Sequence, residues 1–151
     1  MQKSVACLAA IIVFVLVVPA AVALAQSPPA AEPLDGGKLY MYNCQSCHQA
    51  DGKGFANLAP ALKGNAIISG DTALLIQLLL KGPAAVLPAD RPKYGANTMD
   101  SFYYKLTDDE MAAVLNYVRQ SFGKDGAKSA LVSVKAVTDA RAKIDPQSLG
   151  N

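Results

Sequence analysis

Cys44, Gln45, Ser46, Cys47 and His48 form a C-x-x-C-H pentapeptide. Two thiols three residues apart occupy adjacent corners of one helical turn. That spacing matches the reach between the two vinyl groups of haem, so each thiol can become a thioether. The histidine directly after the second cysteine can then offer a ring nitrogen to the iron as proximal ligand. This is the c-type haem attachment signature. Other chemistries fit the same residues less well. A thioredoxin-like redox pair expects a βαβ context, and no alternating strand pattern flanks this segment. A structural zinc site asks for four Cys or His ligands, whereas the chain has three cysteines and one histidine, and Cys7 falls in an apolar leader. A Cys44–Cys47 disulfide would close a tight, strained loop. The pentapeptide occurs once, which predicts one covalent haem.

Fast electron transfer at a low-spin haem asks for a sixth ligand, so that the geometry stays similar in both oxidation states. The single histidine is taken by the attachment motif, which excludes bis-histidine ligation within one chain. The methionines after the leader are Met41, Met99 and Met111. Met41 lies three residues before Cys44, too close to reach the opposite haem face. Met111 sits on an apolar helical stripe, where core packing is the ordinary role. Met99 follows a long loop, 51 residues after His48, far enough for the chain to wrap round the ring. Elimination therefore points to Met99. A thioether favours ferrous iron and raises the potential relative to harder ligands.

The elements that must position these groups are helical. Asp35 is a plausible N-cap for a first helix running to the cysteines. Residues 49–66 read as a Gly/Ala/Pro-rich loop. Asp71 caps a second helix over Thr72 to Lys81, closed by Gly82 and Pro83. It is apolar nearly all round, with only Gln77 between its leucines, and such a helix is normally buried. Core packing and a docking face toward a haem edge, partner or membrane both remain open for it. Residues 83–98 read as a Pro-rich loop. Thr107 and Glu110 form a capping box that opens a third helix. Met111, Val114, Leu115, Val118 and Phe122 follow at helical spacing, and Gly123 stops it. A further short helix is expected around Val134 to Lys143. The expected class is all-α, with about three to five helices round one haem.

The chain opens with Lys3, an apolar run from Val5 to Val18, and Ala23-Leu24-Ala25. A basic start, a hydrophobic stretch and an A-x-A site make a secretory signal peptide. We expect cleavage after Ala25, a flexible lead-in over 26–33, a domain over 34–123 and a C-terminal tail over 124–151. An uncleaved anchor is the alternative, because a membrane span takes about 20 apolar residues. Export implies a periplasmic location. About 126 residues remain after the leader, a size that suits one domain. Setting aside Lys3, 13 basic residues face 12 acidic ones. That near-neutral balance gives no support for nucleic-acid binding, which calls for a clustered basic patch.

With these residues in view, the chain resembles the class I c-type cytochromes over most of residues 34 to 123. Gly36 and Tyr40 before the motif, and Val114 and Tyr117 on the last helix, match the small and aromatic positions where that family's terminal helices cross. Pro60, in Ala59-Pro60-Ala61-Leu62, looks like the family proline that packs on the proximal histidine. The run from Leu106 to Arg119 is similar to last helices in monohaem subunits of periplasmic dehydrogenases. Many relatives place proline directly after the ligand methionine. Here Asp100 follows Met99, which leaves the loop less rigid, while the downstream aromatic, Phe102, is present.

The resemblance implies a periplasmic electron carrier, not an enzyme, with Cys44, Cys47, His48 and Met99 holding haem c. Leu58, Leu62, Leu75, Leu79 and Phe102 are candidates to wall the pocket. Tyr94, Arg91 and Lys93 are candidates to meet the propionates, with plain loop exposure an equal reading. The implied partners are redox proteins, a periplasmic dehydrogenase or oxidase. Membrane association would require an uncleaved leader or a bound partner. Two rival readings are a haem subunit permanently bound to a dehydrogenase or oxidase, and an open-site haem sensor or peroxidase. The last would lack a distal histidine.

Overall fold

A computed structural model of the chain describes residues 33–90, 99–124 and 130–149. The leader with Cys7, nearly all of the lead-in, and the loop residues Arg91, Lys93 and Tyr94 lie outside the described residues. Among those described there are seven α-helices and no strand beyond an isolated bridge between Phe55 and Ala59. The helices are α1 (Gly36–Asn43), α2 (Gln45–His48), α3 (Ala66–Ser69), α4 (Thr72–Lys81), α5 (Pro83–Val86), α6 (Asp108–Phe122) and α7 (Val134–Arg141). The class is all-α, a cytochrome c-like arrangement. The number exceeds the expected three to five because α2, α3 and α5 are single turns of four residues, too short to carry a periodic pattern.

Local chemistry explains where the long helices begin. The Asp35 carboxylate accepts from the N–H groups of Gly37 and Lys38 at 2.9 and 3.1 Å, satisfying donors that have no partner inside α1. In α6 the capping box forms as expected. The Thr107 N–H donates to Glu110 Oε2 at 2.8 Å, and the Glu110 N–H donates to Thr107 Oγ1 at 3.3 Å. Asp108, Asp109 and Glu110 fill the first turn, where negative charge complements the helix dipole.

Helices α1 and α6 cross at very close range. A Cβ added at Gly36 would stand 2.3 Å from the Ala113 carbonyl oxygen and 2.9 Å from the Tyr117 Cβ, so only glycine permits the approach. The partner is Ala113, one residue before the anticipated Val114, which lies buried beside it in the core. The Tyr40 ring packs at a tilt against Tyr117 and Phe122 with ring centroids 5.4 and 5.2 Å away, within the range at which aromatic pairs add stability.

Met111, Leu115, Val118 and Phe122 join Leu75, Ile76, Leu78 and Leu80 of α4 in one core. Helix α4 is thus a core helix, with Leu74 and Leu79 packed at the margin. The Pro-rich stretch from 83 is not loop throughout. Pro83 sits at the first turn of α5, where its fixed φ and missing N–H cost nothing. Asn65 accepts from the Ile67 N–H at 2.9 Å and so starts α3, a helix the apolar pattern did not suggest.

After α6 the chain returns along the core. The Asn116 amide donates to the Val132 carbonyl at 3.0 Å and accepts from its N–H at 2.7 Å. Val132 and, in α7, Val137 are both buried in the main cluster. Arg119 of α6 is 1 % exposed, and its guanidinium donates to the carbonyls of Ile68 and Gly70 at 2.8 and 3.0 Å. It caps the C-terminal end of α3, where the free carbonyls concentrate negative potential.

Candidate haem site

Helix α1 ends by donating the Cys44 N–H to the Tyr40 carbonyl at 2.8 Å, and α2 carries the rest of the motif. Both cysteines are free thiols, Cys44 half-buried and Cys47 exposed. Burial, with Cys47 beside it, pushes the Cys44 thiol up to about 11. Among the described residues no group of His, Cys, Asp and Glu is placed to hold a metal ion, so a zinc-type thiolate centre finds no further ligands here.

His48 is buried, and burial lowers its basicity. Its Nδ1 lies 3.0 Å from the Pro60 carbonyl oxygen. A carbonyl has no hydrogen to give, so Nδ1 carries the proton and Nε2 keeps its lone pair. This fixes both tautomer and ring orientation in the way metal-ligating histidines are commonly held. The loop that brings Pro60 back is tied to the motif itself. The Gly54 N–H donates to the His48 carbonyl at 3.0 Å, and the Phe55 N–H donates to the Ala59 carbonyl at 3.0 Å. Tyr40 braces the same turn, donating its hydroxyl to the Gln49 carbonyl at 2.6 Å. A neutral, oriented imidazole beside two free thiols fits a covalently held haem.

Of the three candidate methionines, Met41 is exposed on α1, Met111 is fully buried in the core on α6, and Met99 is half-buried. The chain after Met99 is docked on the end of α4. The Ser101 hydroxyl donates to the Leu80 carbonyl at 2.6 Å, and the Phe102 N–H donates to the Leu79 carbonyl at 2.7 Å. Gly82 makes room for this. Its φ is +77°, and an added Cβ there would come 3.0 Å from the Met99 carbonyl oxygen, so both conformation and space call for glycine.

Among the proposed pocket residues, Leu75 is buried in the core, Leu62, Leu79 and Phe102 pack against it partly buried, and Leu58 is half-buried. The Lys105 ammonium lies 5.4 Å from the centre of the Phe102 ring and 3.3 Å from the Asp100 carboxylate. Tyr94, with Arg91 and Lys93, falls outside the described residues.

The sequence reading missed the contribution of α7. Arg141 donates from Nε to Asp108 Oδ1 at 2.6 Å, from Nη1 to the Tyr103 carbonyl, and from Nη2 to the Leu106 carbonyl at 2.8 Å. The Thr138 hydroxyl donates to the other Asp108 oxygen at 2.6 Å. These partners are 30 to 38 residues apart in the chain, and no local spacing signals them.

Residues 34–122 match the cytochrome c family. The chain is 34 % identical over 91 residues to the cytochrome c subunit of a quinone-dependent alcohol dehydrogenase of Gluconobacter oxydans, covering 60 % of this chain and 19 % of the relative. It is 34 % identical over 108 residues to the gluconate 2-dehydrogenase cytochrome c subunit of Pantoea cypripedii, covering 70 % and 24 %. It is 36 % identical over 93 residues to cytochrome c-552 of Thermus thermophilus, covering 59 % and 69 %. The chain thus spans about a fifth to a quarter of the dehydrogenase subunits it matches. With a C-x-x-C-H turn, an oriented neutral histidine and crossed terminal helices, this chain belongs to the cytochrome c family and carries covalently bound haem c.

Proposed function

We propose that the protein is an exported, one-haem electron carrier. In this reading Cys44 and Cys47 form the thioethers, and His48 and Met99 are the axial ligands. When bound, the haem supplies an iron that gains and loses one electron. The chain's own residues do the rest. Pro60 holds the Nδ1 proton so that Nε2 of His48 presents a lone pair. The bonds from Ser101 and Phe102 to the end of α4 hold the Met99 segment. The apolar side chains of Leu62, Leu79 and Phe102 keep water from the ring. The observation that carries this reading is the 3.0 Å contact between His48 Nδ1 and the Pro60 carbonyl, with the free thiols of Cys47 and Cys44 one and four residues before the histidine.

The similarity to dehydrogenase cytochrome subunits supports a periplasmic dehydrogenase as donor, and an apolar leader with an A-x-A site supports export. Among the described residues no helix is long and apolar enough to cross a membrane. The same similarity favours a second reading, a subunit held permanently in a dehydrogenase complex. Co-purification of a large catalytic subunit distinguishes the two.

The deciding experiment is a visible spectrum of the reduced protein with and without carbon monoxide. A low-spin spectrum that carbon monoxide changes only slowly is expected. Rapid conversion to a carbonyl adduct would overturn the closed His/Met site and favour an open-site sensor or peroxidase.

A further inference from the structure

The family match ends at residue 122, yet α7 lies beyond it and reaches back to the segment that carries Met99. Arg141 is the point of contact. Its guanidinium lies 4.9 Å from the centre of the Tyr103 ring and donates to the Tyr103 and Leu106 carbonyls and to Asp108. Every one of these acceptors lies between Met99 and the first turn of α6. The fork is one-fifth exposed, with a side-chain exposure of 19 %, so water competes weakly for it. Helix α7 cannot move away without breaking this set, because Val137 is 0 % exposed and Asn116 pins Val132 just ahead of it.

The Met99 segment is therefore held at two places. Ser101 and Phe102 are tied to the end of α4. Tyr103 and Leu106 are tied to α7. Asp100 stands directly after Met99 and supplies none of the backbone stiffness of a proline, so the restraint on the segment falls to these ties.

We infer that Arg141 is a positioning residue for the sixth iron ligand: by clamping the Tyr103–Leu106 backbone, it limits how far Met99 can swing from the iron. This rests on Met99 being that ligand. Helix α7 then governs ligand retention from outside the family domain. A planar fork suits the task, because its fixed donors reach two carbonyls and a carboxylate at once, a geometry that a lysine ammonium on its flexible stem does not match.

The test is the rate at which carbon monoxide binds to the reduced holoprotein, which reports release of the methionine. Met99→Ala is measured first and should bind rapidly. If it binds no faster than the parent, Met99 is not the ligand, and both the ligand reading and this inference fall. With Met99→Ala rapid, Arg141→Leu should bind roughly tenfold faster than the parent, the scale of losing one charge-assisted hydrogen bond. Arg141→Lys should fall between the two, and it serves alone if the leucine variant does not fold. Asn65→Ala weakens the α3 cap, whose side-chain bonds run to Ala61 and Ile67 and not to the clamp, and should leave the rate unchanged. Folded Arg141 variants that bind at the parental rate would overturn the clamp while leaving the Met99 assignment intact. Equal acceleration by Asn65→Ala would reduce Arg141 to a general stabiliser and would also overturn it.

Discussion

His48 Nδ1 and the Pro60 carbonyl oxygen meet at 3.0 Å across twelve residues of chain. The acceptor is backbone, so its presence does not depend on the proline side chain. Pro60→Ala should keep the contact and the visible spectrum while lowering stability by about 0.4–1 kcal/mol, through the greater freedom of the unfolded chain. Denaturant unfolding of the holoprotein measures this. A changed spectrum would mean that the proline ring itself orients the imidazole.

Covalent attachment has a simple signature. In the double variant Cys44→Ala/Cys47→Ala, haem should be lost on denaturation, whereas each single variant should keep it through one thioether. Haem staining after denaturing electrophoresis reads the result. Retention in the double variant would refute attachment at these positions.

The identity of the sixth ligand sets the potential. Met99→His exchanges a soft thioether for a harder imidazole and should lower the midpoint potential while the iron stays six-coordinate. A redox titration with optical detection suffices. An unchanged midpoint would remove Met99 from the coordination sphere.

Gly36 separates two helices that nearly touch. Gly36→Ala places a methyl 2.3 Å from the Ala113 carbonyl oxygen and should destabilise the protein by about 1–3 kcal/mol. Because α1 leads directly into Cys44, haem incorporation should fall as well. Thermal unfolding together with haem content checks both effects. Parental stability would show that the crossing can relax.

Asp108 ties α7 to α6, and its titration should be visible in acid. Partial burial acts to raise its pKa, but bonds from the Thr138 hydroxyl and the Arg141 guanidinium outweigh it, so the carboxyl lies below its ordinary value of 3.8. A carboxyl lowered on folding contributes stability above its unfolded value, and that contribution is lost as pH falls through the native value. Asp108→Asn should therefore be less stable at neutral pH and show a flatter decline below about pH 4. Acid unfolding curves of equal slope for parent and variant would contradict this.

Much of this protein was legible in its residues because the signals were local. The pentapeptide named the cofactor. Asp35, Asp71, Thr107 and Glu110 marked the helix starts, and in each case the side chain bonds the N–H groups it was expected to bond. The stripe from Met111 to Phe122 identified the buried face of α6. Single-turn helices such as α5 were not legible, since four residues carry no period.

Sequence alone pointed to haem c and the all-α class and narrowed the candidate attachment residues and methionines, because chemistry and helical periodicity act within a few residues. Tertiary structure alone decided three further matters. It placed the Pro60 carbonyl on His48 Nδ1 and so settled the tautomer. It buried α4 as core. It also brought Arg141 onto Tyr103, Leu106 and Asp108, more than thirty residues away. Each depends on groups distant in the chain whose meeting is set by how the helices pack, and no local pattern encodes such a meeting.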